Sequence, residues 1–242
     1  MNSYQIPILL YHRIVNEQSK IGNHKIYVLE KRFRGQMKFL KENGYKTITF
    51  NEIEKPSSEK NIILTFDDGY EDNYTILFPI LKEFGFTAVI YLVTKQTKNE
   101  WAIKEGEPEL KMMTIKMIKE MSNHGIEFGG HTRLHADLKK TPKENLIDEI
   151  AGCKKDVEEI IGKPAISFAY PFGAHDDETL QAVRNAGYKY GITTIFGPKN
   201  WQEDLMRIRR IEVRPNTSLF SFKRKVSGNY FEKSIYNLFS GK

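Results

Sequence analysis

Apolar runs rich in Ile, Leu, Val and Phe recur along the chain at 6–11, 46–50, 61–66, 87–93, 126–130, 166–170, 190–194 and 207–213. Each has the length and the β-branched or aromatic content of a strand. Between most of them the apolar positions fall three and four apart, which predicts helices over 31–43, 74–84, 114–123, 142–161 and 176–185. Several of these end at a glycine, namely Gly44, Gly85, Gly125, Gly162 or Gly187, the residue that closes a helix in a left-handed turn. Strands alternating with helices make an α/β chain of parallel β/α units. Strand count and length favour a single-domain distorted (β/α) barrel of about seven parallel strands, closed or nearly closed, over a doubly wound sheet, although periodicity alone leaves both open.

A barrel gathers chemistry at the C-terminal ends of its strands. Tyr11-His12 closes the first run, Asp67-Asp68 the third, His131 the fifth and Tyr170-Pro171-Phe172-Gly173 the sixth. Successive strand residues face opposite sides, so Asp67 and Asp68 are expected to do different work, one facing a metal and the other a substrate. An ordinary Asp-Asp-Gly turn is the competing reading. In Gly129-Gly130-His131-Thr132-Arg133-Leu134-His135, the His-x-x-x-His spacing is expected to set two imidazoles on one face of a helical turn. Alone, such a pair is as readily solvated or capping. Joined to a carboxylate, it makes a His, His, Asp set that leaves coordination positions open for water and substrate.

The 242 residues, 40% of them hydrophobic, suffice for one core, so residues 1–242 are expected to form one domain, with a catalytic core at 6–215 and a C-terminal helical extension. The net charge of +6 comes from 37 basic residues interleaved with 31 acidic ones. Lys31-Arg32-Phe33-Arg34 and Arg207-Ile208-Arg209-Arg210 are the densest basic stretches, read as solvated faces, and nucleic acid is not expected as a partner. The one cysteine, Cys153, excludes an intramolecular disulfide and shares a helical stripe with Leu146, Ile150, Val157 and Ile160, which makes it a core residue. The N-terminus has no basic n-region, and 6–10 is too short for a signal h-region or a membrane span. The chain as written is therefore expected to be cytoplasmic; a leader removed from it would make it extracytoplasmic.

Several segments together resemble the polysaccharide deacetylases of carbohydrate esterase family 4, the NodB homology domain. Pro7-Ile8-Leu9-Leu10-Tyr11-His12-Arg13 resembles the opening strand of one subgroup, Thr65-Phe66-Asp67-Asp68-Gly69-Tyr70 the first motif, His131-Thr132-Arg133-Leu134-His135 the second and Phe168-Ala169-Tyr170-Pro171-Phe172-Gly173 the third. Gly125-Ile126-Glu127-Phe128-Gly129 and Arg210-Ile211-Glu212-Val213 also fit, so the likeness spans about 6–215. It implies that Asp68, His131 and His135 bind a divalent metal, commonly zinc, with cobalt, nickel or manganese as alternatives, and that Asp67 is the general base. The metal would polarise an acetamide carbonyl and, with a backbone N–H around Tyr170, Pro171 and Phe172, hold the oxyanion. The same subgroup implies His12 as the acid that protonates the departing amine, a role suited to an imidazole.

Two family features are missing. No arginine stands in Ser167-Phe168-Ala169 to pair with the base, and Arg210 is expected to substitute for it; the late Leu-x-His element is also absent after Arg214. Of the other histidines, His24 lies in a polar loop, His124 precedes Gly125, and only His175 is placed to approach substrate. Trp101, in the patternless segment 95–113, would either stack on a sugar ring or anchor a rim loop, and Trp201 and Phe172 carry the same ambiguity. The expected function is removal of N-acetyl groups from N-acetylhexosamine units of a polysaccharide, oligosaccharide or lipid-linked precursor. A deformylase or O-acetyl esterase would use the same chemistry; a silent carbohydrate-binding module and a basic nucleic-acid binder are the non-enzymatic alternatives. Oligomeric state is not legible.

Overall fold

The structure is a computed structural model that describes residues 6–56, 60–194 and 200–227. Strand β1 (Ile8–Tyr11) leads to β2 (Arg13–Val15) and β3 (Tyr27–Leu29), helix α1 (Glu30–Glu42), β4 (Lys46–Thr47) and β5 (Asn61–Phe66). A π-helical turn at Asn73–Leu77 runs into α2 (Phe78–Phe84), followed by β6 (Val89–Leu92), α3 (Glu100–Ile103), α4 (Ile115–Asn123) and β7 (Glu127–Gly130). Helix α5 (Lys143–Ile147) continues through a second π turn, Asp148–Gly152, into α6 (Cys153–Ile161). Then come β8 (Ser167–Ala169), α7 (Asp177–Asn185), β9 (Tyr190–Ile192), β10 (Ile211–Glu212) and α8 (Leu219–Val226).

The main sheet runs β10-β1-β5-β6-β7-β8-β9, with β4 paired to β5, and its strand pairs are parallel. The expected barrel-like α/β fold of about seven parallel strands is the fold observed. Its two edges approach through segment 205–213. There the Ile208 N–H donates to the Gly191 carbonyl and the Arg210 N–H to that of Thr194, while the Val213 N–H donates to the Leu10 carbonyl.

Side-chain alternation sorts the core into two layers. Leu9, Tyr11, Ile62, Leu64, Phe66, Ile90 and Leu92 pack outward under the helices, whereas Ile8, Ile63, Val89, Tyr91, Ala169 and Ile192 fill the barrel. This is why β5 is apolar on both faces through Ile62, Ile63 and Leu64: every residue of the strand is buried. Helix α1 turns Phe33, Met37 and Leu40 inward, spaced four and three apart. Helix α7 starts at a capping box in which the Thr179 N–H donates to Asp176 Oδ1 at 2.9 Å and the Asp176 N–H to Thr179 Oγ1 at 2.8 Å. Gly44, Gly85, Gly125, Gly162 and Gly187 all have φ between 66° and 87°, as helix-closing glycines should. Cys153 is a fully buried core residue, as its stripe predicts.

Several expectations need correction. The runs 46–50 and 207–213 form strand over only two residues each; beyond these, pairing continues only as single contacts, the Ile48 N–H to the Ile62 carbonyl at 3.0 Å and an isolated parallel bridge between Ile208 and Ile192, while Ile48, Phe50 and Ile208 point into the barrel. The small parallel pair β2 and β3 has no counterpart among the expected strands, its three-residue members being too short to show a period. The stretch 142–161 is one helical path widened by the π turn. Residues 228–242, most of the expected C-terminal extension, lie outside the described residues. Among the described residues no helix is long and apolar enough to cross a membrane.

Candidate metal centre and catalytic cavity

The alternation along β5 continues past its end, so Thr65 and Asp67 follow Ile63 into the barrel mouth. The chain then turns sharply at Asp68, whose φ of 75° lies in the left-handed region, and Gly69 follows at 82°. Thr132, His135 and Phe172 also have positive φ, at 67°, 58° and 59°. Left-handed backbone is costly for residues with a β-carbon, and such strain concentrates at functional sites.

Asp68 Oδ1 lies 3.3 Å from the Nε2 atoms of both His131 and His135, and all three side chains are buried. Their ligand atoms fall within 4.8 Å of one another. The Asp68 Oδ1 atom is buried with no hydrogen-bond partner among the described residues, an arrangement that is costly unless a cation fills it. His131 Nδ1 lies 2.7 Å from the Ala169 carbonyl, which fixes Nδ1 as donor and leaves Nε2 as a bare lone pair. Burial alone would raise the Asp68 carboxyl, but the two imidazoles hold it well below the usual carboxylate range. The donor set suits a divalent metal.

The histidines do not share a helical turn, contrary to the spacing argument. Residues 131–137 form an irregular loop, and the left-handed Thr132 and His135 bring the imidazoles together instead. His135 is held by rings: Trp101 stacks on it at a centroid distance of 4.3 Å with 18° between planes, and Phe172 meets it edge-on at 4.7 Å. The alternative of Trp101 as a loop anchor thus has a definite partner, a candidate metal ligand. Its segment is ordered by the buried Asn99, whose Oδ1 accepts from the Leu110 N–H at 2.7 Å and whose Nδ2 donates to the Pro108 carbonyl at 3.0 Å.

Asp67 pairs with Arg210 through two parallel bonds, Nη1 to Oδ1 at 2.6 Å and Nη2 to Oδ2 at 2.7 Å. Arg210 is buried; its Nε donates to the Thr193 carbonyl at 3.0 Å, its Nη1 also donates to Thr65 Oγ1 at 3.0 Å, and its guanidinium lies 5.7 Å from the Tyr91 ring centre. Burial pushes the Asp67 carboxyl up, yet Arg210 outweighs this and holds it below its ordinary value. Thr65 escaped the sequence reading, although a lone hydroxyl in an otherwise apolar strand is a legible signal.

One cavity of about 350 Å³ joins these groups. His12, Asp67, Asp68, His131, His135 and Trp101 line it, as do Tyr170, Phe172, Ile26, Thr194, His24 and Glu105. His24 rather than His175 therefore faces the site, held 3.1 Å from Glu105; His175 packs beside Tyr170 with Nδ1 2.9 Å from the Gly173 carbonyl. Trp201 rests on Tyr190, away from the cavity lining. Of the amides proposed for the oxyanion, Pro171 has no N–H and that of Tyr170 donates to the Ile192 carbonyl, which leaves the N–H of Phe172.

Comparison with known proteins adds an independent line. A sequence model of the family described as polysaccharide deacetylase matches residues 54–191. YxkH of Bacillus subtilis, which carries a provisional polysaccharide deacetylase name, is 32% identical over 224 residues, 90% of this chain and 75% of that protein. The poly-β-1,6-N-acetyl-D-glucosamine N-deacetylase of Staphylococcus aureus is 27% identical over 211 residues, 76% of this chain and 70% of its own. Among solved structures, the Streptococcus pyogenes deacetylase PplD in complex with acetate superposes with a TM-score of 0.80 at 28% identity, covering 92% of this chain and 98% of that one.

Proposed function

The chain belongs to the polysaccharide deacetylase family, a family of hydrolases, and from that premise we propose that it removes N-acetyl groups from N-acetylglucosamine units of a glycan in a metal-dependent reaction. The observation that carries the reading is the pairing, within one cavity, of an Asp68, His131, His135 donor set with a carboxylate, Asp67, held ionised by Arg210. The β-1,6-linked polymer named for the Staphylococcus aureus relative is the first substrate to try.

Asp68, His131 and His135 would hold the metal, zinc or else cobalt, nickel or manganese, which when bound polarises the amide carbonyl and acidifies a water. Asp67 accepts the proton of the attacking water, its two oxygens kept in place by the Arg210 fork. The Phe172 N–H, on the residue with φ of 59°, stabilises the oxygen that gains negative charge. His12, which follows β1 and lines the same cavity, delivers a proton to the departing nitrogen so that it leaves as an amine. Its carbonyl is tied to Asn73 Nδ2 at 2.8 Å, which steadies the backbone behind the ring. A silent binding module would have no use for a fork-paired base beside an orphaned carboxylate oxygen.

Acetate release from β-1,6-linked N-acetylglucosamine oligomers by the chelator-stripped protein, with and without zinc, tests the proposal. Release restored by zinc, and lowered about 100- to 10,000-fold in Asp67→Asn with zinc still bound, is the expected result. Stoichiometric zinc without acetate release, but with release of formate or of O-linked acetate from other esters and amides, would replace it with the deformylase or esterase reading.

A further inference from the structure

The loop 131–135 carries both candidate metal histidines yet has neither helix nor strand to shape it. Two of its residues are left-handed, and its central amides at Arg133 and Leu134 need acceptors. One atom serves both: Oε2 of the buried Glu149 accepts from the Arg133 N–H at 2.9 Å and from the Leu134 N–H at 3.0 Å. The next turns of the same helical path hold the side chain between those amides. The Arg133 guanidinium forks onto Asp156, Nε to Oδ2 at 2.8 Å and Nη2 to Oδ1 at 3.0 Å, and Nη1 also bonds to Asp148.

Local sequence makes this reach feasible. Glu149 sits in the π turn Asp148–Gly152, a widened turn of the kind that recurs at functional sites. A β-carbon at Gly152 would lie 2.6 Å from Arg133 Cζ, so only glycine lets the guanidinium lie across the helix. After β6, the Thr94 and Lys95 N–H groups donate to the carbonyls of Thr132 and Arg133 at 3.3 and 2.9 Å, and their side chains also reach Asp156, Thr94 Oγ1 at 2.8 Å and Lys95 Nζ at 3.1 Å. Within the loop, the Ala136 N–H donates to Thr132 Oγ1 at 3.1 Å. The helix therefore grips the loop midway between the two imidazoles.

Resting on the metal reading above, we propose that Glu149 is a positioning residue for the metal centre. Its carboxylate, backed by the Arg133–Asp156 fork, presets the left-handed loop so that His131 and His135 already converge on Asp68 before a cation arrives. Outer partners of metal ligands act on affinity through such preorganisation. A carboxylate that merely satisfied two amides would affect stability and leave affinity alone.

Chelator-stripped wild type, Glu149→Ala, Glu149→Gln and Val157→Ala are titrated with zinc against a competing chromogenic chelator, and each metal-free protein is melted. Val157 is a buried apolar residue of α6 whose side chain can make no hydrogen bond to the loop amides, so its variant serves as the control for lost stability. The expected result is zinc affinity about 10- to 100-fold weaker in Glu149→Ala, near wild type in Glu149→Gln, which keeps an acceptor oxygen, and unchanged in Val157→Ala. If Glu149→Ala does not fold, Glu149→Asp, which retracts the carboxylate by one methylene, is read the same way. Affinity in the Glu149 variant within about twofold of wild type, or an equal loss in Val157→Ala, overturns the proposal. Wild type that takes up no zinc overturns instead the metal reading beneath it.

Discussion

At the scale of single residues, the decisive contact is the Arg210 fork on Asp67. The base proposed above must be ionised to act, and Arg210 keeps Asp67 so by outweighing the effect of burial. Without the guanidinium, burial is opposed only by the nearby His131 and His12, and the carboxyl's pKa rises. Arg210→Ala is therefore expected to lower kcat/KM by about 10- to 100-fold and to move the acid limb of the pH profile upward, as measured by acetate release across pH. Undiminished turnover with an unmoved limb would remove Arg210 from the machinery. The substitution was legible in part: the gap in Ser167-Phe168-Ala169 and the late Arg210-Ile211-Glu212-Val213 suggested it, but the supports at Thr65 and the Thr193 carbonyl needed the closed barrel.

Among the elements, the segment carrying α3 matters more than its lack of pattern suggested. Trp101 supplies the wall of His135, so Trp101→Ala is expected to weaken zinc affinity about tenfold in the same competition assay while changing the melting temperature little, the indole being only half-buried. A rise in KM with zinc affinity retained would return Trp101 to sugar stacking. Elements with a long period, such as α1, α4, α7 and β5, were readable because packing repeats a demand every two or three to four residues. The His131 to His135 loop makes no repeated demand. Its spacing imitated a helix, whereas its shape comes from partners 15 to 23 positions away, at Glu149 and Asp156, that no local pattern announces.

In the whole molecule, the two ends of the barrel divide the work. The candidate catalytic side chains collect at the C-terminal mouth; the opposite end holds Glu127, at the start of β7, whose carboxylate accepts from Asn51 Nδ2 at 2.7 Å, the Asn51 N–H at 3.1 Å and Ser167 Oγ at 3.3 Å. Burial raises its pKa above the ordinary 4.5 despite these donors. The folded state thus holds this proton more tightly than the unfolded chain, so the group's contribution is full below about pH 4.5 and is lost as pH rises through the folded value. Melting temperatures should show Glu127→Gln gaining on wild type as pH is raised from about 4 to about 8; a constant or shrinking difference would contradict this. The barrel itself was foreseeable from alternation, and its division of labour follows.

Segment 205–213 joins the first and last parts of the sheet and delivers a guanidinium to a carboxylate 143 positions earlier. During synthesis, residues 12 to 169, which include the candidate ligands and the supports at Glu149, Asp156 and Ala169, leave the ribosome before Arg210, so a nascent chain can assemble its candidate cation ligands while the proposed base still lacks its counterion. Contacts of such long sequence separation form late. On the proposed reading, full turnover is then the last property the polypeptide acquires, and a partly made chain would hold metal before it could hydrolyse at the mature rate.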